Sequence, residues 1–405
     1  MNSSIFINRF AMRNYKGIAV CRLPLCSLMF LVGPNGAGKS NFLDGLRFIS
    51  DALRDSLDHA LRARGGIKEV RRRSGGHPNH FSLEVSFQME DGASGKYGFQ
   101  IGARPQGGYE VQEEGCEIVQ GSDPTHVDSF RVERGTVTAS SLAVPPAASP
   151  DRLYLVNISG FPGFRPLYEA LSRMSFYSFN PDRIRDLQAP DAGDLLARDG
   201  ANLSSVLSKL ARENADAKKR IEEYLGKVVP GVSAVEARSV GPKETLEFRQ
   251  SVAGAQYPWH FFAANMSDGT LRTLGILVAL FQSSNGGKGR IPLVGVEEPE
   301  LALHPAAAGV LRDSLRDASR TTQVLVTSHS PDLLDDDTIL PDSILAVVSD
   351  NGTTRIGRLN EVGRSVLRDK LYTAGELLRL NQLEPQLDGT SSEAELELSS
   401  SPGAK

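Results

Sequence analysis

Short apolar runs alternate with longer amphipathic ones along much of the chain, and the spacing predicts strands separated by helices. Leu28-Met-Phe-Leu-Val32 is an unbroken apolar run, as expected of a short buried strand. Residues 41–50 follow with Phe42, Leu43, Leu46 and Ile49 on one helical face, and helical character continues from Asp51 to Leu61. Before that strand, residues 4–25 alternate apolar and polar around Asn14-Tyr-Lys-Gly17, a hairpin-like pattern. Phe81–Phe87 also alternates with period two. Tyr97–Ile101, Tyr109–Val111, Cys116–Val119 and Val127–Val132 follow between Gly- and Asp-rich turns, which predicts an inserted antiparallel sheet. Ala139–Pro150 is rich in Pro, Ala and Ser and is expected to be a mobile linker.

Leu167–Met174 reads as a helix, and Ser175-Phe-Tyr-Ser-Phe-Asn-Pro-Asp182 opens a new region. Leu195–Leu225 is expected to be strongly helical, with Leu203, Val206, Leu207, Leu210, Ile221 and Leu225 spaced as one buried face, ending at Pro230-Gly231. Val235–Phe248 predicts two short strands, Thr270–Phe281 an apolar helix, and Asn285-Gly-Gly-Lys-Gly a loop. Ile291–Val296, Gln323–Thr327 and Ser343–Val348 are apolar and spaced by helical stretches, which implies a parallel sheet. From about Leu383 the chain is rich in Ser and Glu and free of aromatics, so the tail is expected to be disordered.

Composition narrows the class. With 405 residues and 40% hydrophobic content the chain can bury a sizeable core, as one large α/β domain with insertions or as two to three domains. The net charge of −4 exerts no global pull on nucleic acid, so any DNA contact has to be local. Arg62–Arg73, with six positive charges, is the candidate patch, although a solvated loop is the plainer reading of such a run. Three cysteines, Cys21, Cys26 and Cys116, suit a reducing compartment, and none has the neighbours of a zinc site. The N-terminus lacks the pattern of a signal peptide, and the longest apolar run, Leu274–Phe281, is too short to span a bilayer. A cytoplasmic protein without membrane contact is expected.

Four motifs carry the chemistry. Gly33 to Ser40 fits G-x-x-x-x-G-K-[ST] between a predicted strand and a predicted helix. Glycines 33, 36 and 38 let the backbone turn tightly and aim N–H groups at phosphate oxygens, and the helix adds its positive end. Gly33, Pro34, Asn35, Gly36, Ala37, Gly38, Lys39, Ser40 and Asn41 are thus the expected nucleotide loop, with Lys39 on the β- and γ-phosphates and the Ser40 hydroxyl on Mg²⁺. Ile291 to Glu300 then delivers two adjacent carboxylates at the end of an apolar strand. In a nucleotide site Glu297 would hold Mg²⁺ and Glu298 would polarise the attacking water. His329, just past the strand Gln323–Thr327, is placed as a γ-phosphate sensor, although a lone strand-end His is more often structural. Ser267, Asp268 and Gly269 begin a helix and could bind phosphate there; in isolation they would be an ordinary helix cap.

In this order the motifs resemble those of ATP-binding-cassette ATPases, and within them the RecF/SMC-related branch labelled AAA family ATPase or AAA_21. Asn35, the Gly-Lys-Ser-Asn helix start, Asn14-Tyr-Lys, Glu297-Glu-Pro-Glu-Leu-Ala-Leu-His-Pro305, Phe179–Arg185 and Asp199–Leu203 match that branch. The resemblance implies an ABC-type P-loop head of α/β class: a mostly parallel core sheet, an inserted antiparallel β-subdomain and a helical lobe. It also implies a homodimer or higher oligomer in which ATP is sandwiched and Ser267–Gly269 of one head caps the phosphate held by Lys39 of the other. The division this suggests is 1–175 for lobe I, 176–230 for the helical lobe, 231–382 for lobe II and 383–405 for the tail.

Three features depart from the family pattern. The signature reads Ser-Asp-Gly-Thr, Glu297 stands where Asp is usual, and the family's sensor glutamine has three candidates, Gln188, Gln88 and Gln100. There is no long heptad arm, and a Toprim nuclease would need more chain than follows Val348. The expected function is a Mg²⁺-dependent ATPase serving DNA repair or anti-phage defence with a separately encoded effector. The alternative is an ATP-controlled scaffold that holds a nuclease or toxin inactive and binds little DNA.

Overall fold

A computed structural model describes residues 5–74, 78–283 and 290–386. Strands β1 (Ile5–Tyr15), β2 (Ile18–Pro24) and β3 (Leu28–Val32) open the chain. An antiparallel meander follows: β4 (His80–Met89), β5 (Ser94–Ala103), β6 (Tyr109–Val119), β7 (Val127–Glu133) and β8 (Thr136–Ser140). The remaining strands are β9 (Ser175–Tyr177), β10 (Val232–Val240), β11 (Lys243–Gln250), β12 (Trp259–Phe262), β13 (Leu293–Glu297), β14 (Gln323–Ser328), β15 (Ile344–Asp350) and β16 (Thr353–Arg358). Thirteen of them form one sheet in the order β8-β7-β6-β5-β4-β1-β2-β16-β15-β3-β14-β13-β9. The meander is therefore continuous with the core, joined through the β1–β4 ladder, rather than set apart from it.

Pairs β9–β13, β13–β14, β14–β3 and β3–β15 are parallel, which confirms the α/β core that the apolar runs imply. Buried parallel strands need apolar side chains on both faces, and here successive residues enter two different cores. Met29, Leu31, Leu293, Leu325, Leu345 and Val347 join the cluster that holds Phe42, Leu46 and Ile49 of the helix Lys39–Arg54. Phe30, Val32, Val294, Val296, Val324 and Val326 join the one that holds Leu271, Leu274 and Val278 of the helix Asp268–Phe281. The sheet is thus sandwiched, with each strand end free to carry polar residues.

Several expectations change. The stretch Leu195–Leu225 is not one helix: residues 195–202 are irregular, and helices Leu203–Glu213 and Ala215–Val228 meet at Asn214, whose side chain caps the second by accepting from Ala217 N. β10, β11 and β12 form a second, three-stranded sheet whose Val235, Leu246 and Phe248 pack into the second core. The Ala139–Pro150 linker is tied down: its start lies in β8, and the Pro146 and Ala147 carbonyls accept from Tyr154 OH and Asn157 Nδ2. Order also continues past Leu383, which is buried, while Pro385 bridges to Leu359. The rest of the expected tail, 387–405, and the glycines of the Asn285 loop lie outside the described residues. No helix among those described is long and apolar enough to cross a membrane.

Candidate phosphate-binding site

Strand order brings the three strongest motifs to one edge. β3 lies between β14 and β15, and β14 lies between β3 and β13, all parallel. In register Val32 faces Ser328, and Thr327 faces Glu297. The Gly33–Gly38 loop, the Glu297-Glu298 pair and His329 therefore leave neighbouring strands at their carboxyl ends, where open α/β sheets bind ligands.

Gly38 precedes the helix Lys39–Arg54 with φ 104°, a left-handed backbone that glycine adopts without strain. A Cβ there would lie 2.2 Å from Thr354 Oγ1, so β16 closes one side of the loop. Lys39 is buried, and its Nζ donates to the carbonyls of Gly33 at 2.8 Å and Pro34 at 3.0 Å. Burial lowers its pKa, and the opposing pull comes from Glu298 and Glu300, which brings both carboxylates into the field of this one ammonium.

Glu298 is held at φ 44°, a conformation an L-residue rarely adopts and one that collects at functional sites. Its N–H is fixed by the Thr327 carbonyl at 3.0 Å and the Thr327 hydroxyl at 3.2 Å. Its Oε1 lies 3.3 Å from His329 Nδ1. Glu300 completes the group: its Oε1 accepts from the Ser328 hydroxyl at 2.7 Å and the His329 N–H at 3.1 Å. Glu300 Oε2 and His329 Nδ1 are both buried without a hydrogen-bond partner. Glu297 Oε1 instead pairs with Arg198 Nη2 at 2.9 Å.

Ser267 caps the helix Asp268–Phe281 by accepting from Thr270 N at 3.3 Å. Gly269 is packed so closely that a Cβ would sit 2.4 Å from the Ala302 carbonyl oxygen. Arg185 ion-pairs with Asp268. These contacts tie the signature to the helical lobe and the turn after β13, and none of them is to a residue of the phosphate loop.

The three glutamine candidates lie in different surroundings. Gln188 is buried, its amide donating to the carbonyls of Arg183, Ile184 and Gly200 while its oxygen accepts from Ser204 N. Gln100 donates to Gln112 within the meander, and Gln88 lies on β4, in the antiparallel part of the sheet. The basic run Arg62–Arg73 is also less available than its composition implies. Arg64 is internal, bound to Asp44 and Asp51, and Arg71 and Arg72 reach the Pro78 carbonyl and the Thr353 hydroxyl. Arg62 and Arg73 pair with Asp58 and Glu69.

Sequence reading missed Glu300, Arg198 and Arg185. Each lay in or beside a quoted motif, but nothing local distinguishes its partner, which is 28, 99 or 83 residues away.

A family model described as "AAA domain, putative AbiEii toxin, Type IV TA system" matches residues 28–335. No curated protein matches the chain in sequence. Among solved structures, an Smc head bound to the C-winged helix domain of ScpA is similar at TM-score 0.57 and 14% identity, covering 88% of this chain and 99% of that one. An Smc head with an extended coiled coil bound to the C-terminal domain of ScpA, from Pyrococcus furiosus, gives 0.52 and 12%, covering 91% and 99%. At these identities the likeness is one of fold.

Proposed function

The chain belongs to the AAA_21 family of AAA-domain proteins, with the fold of an SMC-type ATPase head, and from that premise we propose that it binds and hydrolyses Mg·ATP as a sandwiched dimer. The observation that carries this reading is the convergence of Lys39, Glu298, Glu300 and His329 at adjoining strand ends. The residues suit a hard divalent cation. Glu297 and Ser40 offer oxygen donors, and the buried Glu300 Oε2 has an acceptor site left open nearby. When bound, the metal neutralises charge on the transferring phosphoryl group.

The chain's own residues do the rest. Lys39 turns from the loop carbonyls to the phosphates, and the loop amides hold the nucleotide in line. Glu298, with its amide fixed by Thr327, accepts the proton of the attacking water. His329, set by the Glu300 contact to its backbone, reads the terminal phosphate. Ser267, Asp268 and Gly269 serve the partner's site, which fits their contacts to the helical lobe and to the turn after β13.

Work in DNA repair or anti-phage defence with a separately encoded effector is the wider reading. The Smc heads it resembles carry a ScpA domain, which makes a protein partner a natural extension. The inward turn of Arg64 removes one charge from the Arg62–Arg73 run, which favours the second reading, in which nucleotide state holds or releases a protein effector and little DNA is bound.

The experiment is a pair of variants. Lys39→Ala should lose ATP binding by calorimetry. Glu298→Gln should bind ATP, lose turnover by about 100-fold or more and accumulate ATP-dependent dimers by light scattering. Normal ATP affinity in Lys39→Ala would sink the assignment of the loop. Unchanged turnover in Glu298→Gln would remove the base.

A further inference from the structure

Two motifs have no role in the scheme so far, Phe179–Arg185 and Asp199–Leu203. They lie side by side: Ser178 N donates to the Arg198 carbonyl at 3.0 Å and Asn180 N to the Asp199 carbonyl at 3.1 Å. The loop is further pinned by Asn202, whose Oδ1 accepts from Ala197 N at 2.7 Å and whose Nδ2 donates to Asp191 and the Leu195 carbonyl. The backbone at residue 198 is therefore anchored without help from its own side chain.

That side chain is 48% exposed and its guanidinium pairs with Glu297 Oε1 at 2.9 Å. Glu297 is itself one-quarter exposed, at the open edge of the sheet. We propose that Arg198 is a displaceable counterion for Glu297, which a divalent cation arriving with nucleotide must dislodge. The proposal rests on the reading of Glu297 as the carboxylate that holds the metal.

The physical case is one of competition. A monodentate contact between partly solvated groups is weak, so it biases the carboxylate without blocking it. Because the loop backbone is held by Ser178, Asn180 and Asn202, the guanidinium can swing out without unfolding anything. The glutamate at position 297 carries one methylene more than the aspartate usual in the resembled family, which lengthens its reach toward the loop. Arg198 then moderates the metal dependence of nucleotide binding: ATP alone meets a carboxylate already neutralised, and metal-loaded ATP has to exchange one counterion for another.

The test is calorimetric titration of the full chain with ATP, once in Mg²⁺ and once in EDTA. Arg198→Gln should tighten Mg·ATP binding by about two- to fivefold and leave ATP affinity in EDTA unchanged or lower. Arg198→Lys, which retains the charge, should stay nearer the native chain in both buffers. A Mg·ATP affinity that is unchanged or weaker in Arg198→Gln overturns the proposal, as does an equal change in both buffers. The two levels of inference separate cleanly. A native chain that binds no ATP in either buffer removes the nucleotide reading and this proposal with it. A native chain that binds ATP, with the same ratio of affinities in Arg198→Gln, removes the counterion alone.

Discussion

Asp44 follows the phosphate loop on its helix and Glu297 ends β13, and the surroundings of these two carboxylates could hardly differ more. Asp44, on the helix that follows the loop, is met by Lys16 at 2.6 Å, Arg64 at 3.0 Å, Arg47 at 3.0 Å and the Tyr15 hydroxyl at 2.8 Å. Burial pushes its pKa up, but Arg64, Lys16 and Arg47 outweigh that and hold it well below the ordinary carboxylate range. Arg64 has a side chain only 2% exposed; it also binds Asp51 and the Ala60 carbonyl and lies 5.1 Å above the Phe48 ring. Glu297, by contrast, has one half-exposed arginine, and in the Glu298–Glu300–His329 group Glu300 Oε2 is buried without a partner while His329 Nδ1 has only the 3.3 Å approach of Glu298 Oε1. Buried polar groups are normally satisfied, and the exceptions ask for a reason. The first region is held by ion pairs within the chain and belongs to the fold. On the reading proposed above, the second is completed by nucleotide and metal.

The largest expected effect tests the first half of that contrast. Asp44→Ala leaves Arg64 charged, buried and short of its main partner, and should cost about 3–5 kcal/mol in urea unfolding. The sign in pH follows from the depressed pKa. The stabilisation is present above the ordinary Asp value of 3.8 and is lost as pH falls below it toward the folded-state value, so native protein should weaken in acid where Asp44→Ala does not. A loss below 1 kcal/mol would mean that the cluster is surface decoration and would dissolve the contrast.

This division also explains what was legible in the sequence. The phosphate loop could be read because its requirements are local: glycine where φ is positive, a strand before it and an amphipathic helix after it. The parallel core could be read because strands buried on both faces must be apolar throughout. Asn214 was misjudged because apolar spacing on both sides of it suits a helix, while its side chain gains more by capping the second helix than by lying inside one. In the basic run Arg62–Arg73 only Arg64 departs from a surface role, because composition cannot show that it turns inward to acids 20 and 13 residues away. The missed residues share that cause, since each acts through a partner that only the packed lobes bring near.

A second measurement sharpens the comparison with a carboxylate of a third kind. Glu114, on β6, is as buried as Asp44, but its donors are neutral: the Tyr97 hydroxyl and the amides of Tyr154 and Leu155. Burial dominates, the two amides and Tyr97 only partly offset it, and the pKa rises from 4.5 to about 7. Here the sign reverses. The contribution is fully present below about 4.5 and is lost as pH rises through about 7, because the folded state holds its proton longer than the unfolded one. Glu114→Gln should flatten that decline, changing the stability difference from native protein by up to about 3 kcal/mol across the window. Parallel curves for the two proteins would show that neutral donors suffice to keep the buried carboxylate ionised.

The smallest expected effect on stability falls on the signature. Arg185 reaches across 83 residues to Asp268 and also approaches the Met266 carbonyl at 3.4 Å, yet its side chain is 28% exposed and that of Asp268 60% exposed. A pair so solvated contributes less than about 1 kcal/mol, so Arg185→Ala should melt within a few degrees of the native chain. Its effect should appear elsewhere. The pair is a polar link between the short helix Pro181–Arg185 and the loop that begins the helix Asp268–Phe281. Cutting it lets Ser267 and Gly269 drift from the position a partner's phosphate requires, while Lys39 and its loop are untouched. In a Glu298→Gln background, ATP should therefore bind a single head with native affinity while the ATP-dependent dimer weakens, read by light scattering across a protein dilution series. A melting loss as large as that of Asp44→Ala would make this edge as structural as the flank around Arg64. An unchanged dimer would mean that Gly269 packing against Ala302 alone sets the loop, leaving Arg185 a surface pair.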